Sequence, residues 1–147
     1  MAIKGTKTRL EVEANLENLS VISSVVSEAM KRINIDAAII RSVLLAVDEA
    51  CTNIVFYAYP ERKGFIRLAC WLNHGDFVVR IEDTGTPFDP CSVSPPELDV
   101  GLEERKVGGL GIHFMRRFMD KISYRRDVKT GNQLTMRKHV GTSPQSS

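Results

Sequence analysis

At 147 residues the chain is long enough to bury one good core, and too short for a catalytic domain joined to a separate sensor or dimerisation domain. Its 20 Lys+Arg against 18 Asp+Glu leave a net charge of +2, and the basic residues are scattered except for Arg116, Arg117, Lys121, Arg125 and Arg126, so nucleic acid is not an implied partner. Cys51, Cys70 and Cys91 stand far apart without a CxxC pair, which suggests neither a zinc site nor a disulfide framework, and no apolar run approaches the roughly 20 residues of a bilayer span, so a soluble cytoplasmic protein with reduced thiols is expected.

Residues 8–14 alternate, with Leu10, Val12 and Ala14 on one side and Arg9, Glu11 and Glu13 on the other, the period of a half-buried strand. From Asn15, a helix cap, the period changes: Leu16, Leu19, Ile22, Val26, Met30 and Ile33 recur at helical spacing. Asp36 caps a second helix that buries Ile40, Val43, Leu44, Val47, Cys51, Ile54 and Val55 and stops at Pro60. Glu49 and Asn53 fall on another face of it. Residues 65–72 and 77–82 read as strands joined by a hairpin at Asn73-His74-Gly75-Asp76.

Residues 86–108 hold four of the six prolines and little periodic apolar content, a long loop of the kind kept for function. A helix over 111–119 follows, then strands at 122–127 and 134–140 across a turn at Lys129-Thr130-Gly131-Asn132, and a tail at 141–147 that is expected to be disordered. This order predicts an α+β fold: a two-layer sandwich with helices on one face of a mixed, mostly antiparallel sheet, forming one domain over residues 1–140.

Three segments carry chemistry. Glu49 and Asn53, four apart on a helix, project from the same side. An Asn oxygen beside a triphosphate is a suitable magnesium ligand, since that ion takes few ligands from protein, and a Glu one turn away can deprotonate an attacking hydroxyl. Asp83, at a strand end, can accept a hydrogen bond from an adenine amine, and Gly85 lets the backbone pass close to the base. Gly108, Gly109 and Gly111 open a helix whose free N–H groups can hold phosphates, although no GxxxxGK[ST] sequence is present. Each segment alone is also an ordinary helix face, turn or glycine pair, so only their combination is specific.

In order, spacing and context the three resemble the Bergerat ATP-binding site of histidine-kinase catalytic domains and type II topoisomerases, and the run Gly-Gly-Leu-Gly-Ile-His-Phe-Met-Arg-Arg-Phe-Met-Asp at 108–120 is similar to the anti-sigma-factor serine kinases of that superfamily. The resemblance spans residues 10–138. It implies Glu49 as catalytic base, Asn53 as ligand of the magnesium of Mg·ATP, and Asp83, Gly85 and Thr135 at adenine. It further implies Gly109 and Gly111 at the phosphates and an ATP lid over about 86–108. From their place just before the glycines, Arg105 or Lys106 is expected to approach the γ-phosphate. Phe56-Tyr57-Ala58-Tyr59 departs from the family pattern, where many relatives carry a charged residue and a histidine before Ala-Tyr.

The implied function is that of a serine/threonine protein kinase and anti-sigma factor, which phosphorylates a small STAS-domain anti-anti-sigma protein and sequesters a sigma factor or similar regulator. A homodimer built on the first helix and strand is implied as well. The alternatives are a nucleotide-gated binding module without kinase activity and the catalytic half of a split histidine kinase. The retained Glu49 argues against the first, and the second requires a phosphoacceptor His on a separate protein.

Overall fold

The computed structural model describes residues 7–60, 62–87, 115–127 and 129–141. Strand β1 (Thr8–Glu13) is followed by helices α1 (Leu19–Arg32) and α2 (Ala37–Asn53), the hairpin β2 (Phe65–Asn73) and β3 (Asp76–Asp83), a helical turn at 115–118, and the hairpin β4 (Lys121–Asp127) and β5 (Gly131–His139). Five strands form one sheet in the order β1-β2-β3-β5-β4. The mostly antiparallel sheet is antiparallel at every pairing of the described strands. The inversion of the last two strands places the start of β5 against the end of β3, with Asn132 opposite Asp83.

Strand alternation decides which face is covered. Ile66, Leu68 and Cys70 of β2, Phe77, Val79 and Ile81 of β3, and Leu134 and Met136 of β5 point to one side. There they meet Ile22, Val26 and Met30 of α1 and Val43, Val47 and Cys51 of α2. Each such side chain contributes about 1.5–3 kcal/mol by leaving water, which makes this layer the main source of stability. On the opposite face Trp71 is half-buried beneath Lys7 and Arg80, whose cationic groups sit 4.4 and 5.1 Å from its ring centre. Cys51 and Cys70 are free and buried, and burial pushes both thiols up, that of Cys70 to about 11.

The helix starts follow their caps. Asp36 accepts a hydrogen bond from the Ala38 N–H at 2.9 Å and opens α2. Asn15 does cap a helical segment, accepting from the Asn18 N–H at 2.9 Å, but that segment is a 3₁₀ turn over Leu16–Asn18, and the α-helix begins only at Leu19. Leu16, expected on the buried face, is therefore exposed. At the other end, α2 does not continue to Pro60 as one regular helix: it widens after Asn53 into a π-helical turn over Ile54–Ala58. Among the described residues no helix is long and apolar enough to cross a membrane.

Candidate functional site

The site is built where the end of α2 meets the end of β3 and the start of β5. Asn53 is the last residue of α2 before the backbone widens, and single π turns within helices are frequent at functional sites. Although expected on a face away from the core, its side chain is only 4% exposed, and among the described residues neither its amide oxygen nor its amide nitrogen has a hydrogen-bond partner. A buried, unpaired amide costs about 1–3 kcal/mol, so the fold carries a polar group that nothing among the described residues satisfies. Glu49, one turn earlier, is half-buried, and burial, reinforced by the neighbouring Asp48 carboxylate, holds its pKa above the usual glutamate range.

The opposite wall is a hydrogen-bonded polar cluster. Asp83, 8% exposed, accepts through one oxygen, Oδ1, from the Gly85 N–H and from the Asn132 side-chain amide, both at 2.8 Å. The same amide nitrogen of Asn132 donates to the Gly85 carbonyl at 3.0 Å, and the Tyr124 hydroxyl donates to the Asn132 amide oxygen at 2.9 Å. Burial raises the Asp83 pKa, against the lowering effect of its bonds from Asn132 and Gly85. A single pocket brings these groups together with Asn53: it is lined by Asn53, Asp83, Thr86, Tyr124 and Asn132, and by the apolar side chains of Ala50, Ile54, Ala58, Ile81, Met115 and Leu134. An apolar slot with a few convergent polar atoms is the form of a small-molecule site.

Two glycines allow this closeness. A Cβ on Gly85 would overlap the Ala58 carbonyl, so the glycine lets the end of β3 press against the π turn, where the Thr86 N–H donates to Ala58 O at 2.7 Å. That contact with the π turn is the constraint the described residues place on Gly85. Gly131 adopts φ +88°, and a Cβ there would overlap the Asp83 carbonyl. Tyr59 locks the same corner from outside: its hydroxyl accepts from the Thr84 N–H and donates to the Phe65 carbonyl, both at 2.9 Å.

Thr135 requires a correction. It stands opposite Arg80 and Ser123 in register, on the alternate side of β5 from Asn132, Leu134 and Met136, and so on the other face of the sheet from Asp83. The residue that bonds Asp83 is Asn132, expected from the sequence pattern only in a turn. The available signal was the Gly131-Asn132 pair at the start of the strand. Gly109 and Gly111, the lid beyond residue 87 with Arg105 and Lys106, and the tail from 142 lie outside the described residues.

Residues 12–138 match the family described as "Histidine kinase-like ATPase domain". The chain belongs to that family. Within it, the chain is 27% identical over 138 residues to the protein named serine-protein kinase RsbW in Bacillus cereus strain AH820, covering 91% of this chain and 85% of that one, and equally so to its namesake in Bacillus anthracis strain A0248. The fold of this histidine kinase-like ATPase also matches a solved structure containing the RsbU and RsbW domains of Rv1364c from Mycobacterium tuberculosis, with a TM-score of 0.63 at 16% identity. That match covers 92% of this chain but only 33% of the longer solved one.

Proposed function

We propose that the protein is an ATP-dependent serine/threonine protein kinase that acts on a small STAS-domain anti-anti-sigma protein and holds a sigma factor or similar regulator. The observation that carries this reading is the buried amide of Asn53, unpartnered among the described residues, in the same pocket as Asp83, because it marks a place for a polar ligand. The family membership and the similarity to proteins named serine-protein kinases support it.

In this reading the apolar slot between Ala50, Ile81 and Leu134 takes the adenine, and Asp83 accepts from its amine. The Asn53 amide oxygen is a hard ligand for magnesium. Among the described residues no three His, Cys, Asp or Glu converge on a metal site, so that ion would draw its remaining ligands from phosphate and water. Bound Mg·ATP supplies the γ-phosphoryl group, with the cation offsetting part of its charge. Glu49 accepts the proton of the partner's serine or threonine hydroxyl as that oxygen attacks the γ-phosphorus, the bond from the γ-phosphorus to the β–γ bridging oxygen breaks and ADP leaves, and the raised carboxylate pKa suits a base. Gly109 and Gly111 are assigned to the phosphates on sequence grounds. For a homodimer we favour β1, the edge strand of the sheet, together with α1.

Equilibrium binding of ATP with magnesium and with chelator tests the pocket. Wild type is expected to bind Mg·ATP tightly and Asn53→Ala to lose most of the benefit of magnesium. Equal binding by both proteins under both conditions would remove Asn53 from the site.

A further inference from the structure

Given the proposed adenine pocket, on which this inference rests, we infer that Tyr124 is a positioning residue: acting through Asn132, it fixes the Asp83 carboxylate so that the pocket selects a purine bearing a 6-amino group. The direction of every hydrogen bond in the cluster is forced. The Asn132 amide nitrogen has two protons and meets two groups that only accept, Asp83 Oδ1 at 2.8 Å and the Gly85 carbonyl at 3.0 Å. Turning the amide over would set its oxygen against both. Its oxygen must then receive a proton from elsewhere, and the Tyr124 hydroxyl provides one at 2.9 Å.

The chain of donors thus runs from Tyr124 to Asn132 to Asp83 and ends on Oδ1, which also takes the Gly85 N–H at 2.8 Å. With two donors already on Oδ1, the carboxylate has Oδ2 left as an acceptor for a ligand. An acceptor at that point matches an exocyclic amine and repels a carbonyl oxygen. Tyr124 sits opposite Leu134 in the β4–β5 register, one pair along the same face from Asn132, so its phenol reaches the amide diagonally across the strands while also lining the pocket.

Removing only the phenol oxygen would leave the Asn132 amide oxygen buried without its donor. The amide would then be free to turn, and Asp83 would lose a fixed orientation. The apolar walls would still hold a base. Tyr124 therefore governs which purine is chosen more than how tightly any purine is held.

The test is equilibrium binding, with magnesium, of ATP and of purine riboside triphosphate, which lacks the 6-amino group. Wild type, Tyr124→Phe, Asn132→Ala and the double variant are compared, each first shown to unfold cooperatively on heating. Wild type is expected to prefer ATP by about tenfold, the scale of one hydrogen bond to a charged group. Tyr124→Phe is expected to cut that preference at least threefold, with analogue binding changed less than ATP binding, and Asn132→Ala to abolish it. In the double variant Tyr124→Phe is expected to add nothing. Equal weakening toward both ligands, an unchanged preference, or additive effects in the double variant would overturn the role of Tyr124. If either single variant fails to fold, the other still decides. A wild type that binds neither nucleotide would instead sink the reading of the pocket itself.

Discussion

Asn53, Glu49 and Asp83 each sit in an environment whose costs point to use. Because the Asn53 amide is buried without partners among the described residues, Asn53→Ala trades an unsatisfied polar group for a small void. Its stability without ligand is therefore expected within about 1 kcal/mol of wild type by urea denaturation, while phosphoryl transfer falls steeply. For Glu49 the base must be ionised, so transfer is expected to rise with pH through its raised pKa. Asp48 contributes to that raising, so Asp48→Asn lowers the Glu49 pKa and moves the acidic limb of the pH–rate profile to lower pH. A limb that stays in place would remove Asp48 from the account. For Asp83, burial raises the folded pKa, so the native state binds its proton more tightly than the unfolded chain does. Stability from this group is thus lost as pH rises from the ordinary aspartate value through the raised one. Asp83→Asn keeps an acceptor for Gly85 and Asn132 without the charge, and is expected to melt no lower than wild type at neutral pH while losing preference for ATP. Asn53 and Asp83 were legible because each ends an element whose period is clear. Asn132 and Thr135 were not, because strand β5 starts at Gly131 rather than at residue 134, and in a strand the choice of face depends on the parity of each step.

The helix and strand periods marked every described element, and the misreadings fall where an element changes type. Nothing in Ile54-Val55-Phe56-Tyr57-Ala58 distinguishes a regular helix from a π turn, since the apolar residues satisfy either period over one turn. The widening is set by tertiary contacts: the Ala58 carbonyl is taken by the Thr86 N–H, and Tyr59 ties Thr84 to Phe65. Gly85 is the residue that makes this corner possible. Gly85→Ala forces a methyl into the Ala58 carbonyl and is expected to cost about 1–3 kcal/mol, seen as an earlier urea midpoint with an unchanged slope. The same variant should weaken nucleotide binding, because the corner carries both Asp83 and the segment after Asn53. A variant as stable as wild type would show that the corner yields freely.

At the scale of the whole molecule, two helices cover one face of a five-stranded sheet, and the strand order brings residues from 53, 83 and 132 to one end. The sequence pattern implied the layers but could not order the strands, because pairing β5 with β3 instead of only with β4 depends on long-range contacts. Those contacts create the pocket. A ligand that binds only the folded state stabilises it, by about 2.7 kcal/mol at 100 times its Kd, so Mg·ATP is expected to raise the thermal midpoint of wild type and much less that of Asp83→Asn. The central claim is phosphoryl transfer to a protein hydroxyl, and the most direct measurement is transfer of label from γ-labelled Mg·ATP to small proteins of a host-cell extract, with wild type beside Glu49→Ala. Wild type is expected to yield a phosphoserine or phosphothreonine product that is lost in Glu49→Ala, although both bind ATP. Labelling that persists in Glu49→Ala, or none with a wild type shown to bind ATP in the same tubes, would contradict it.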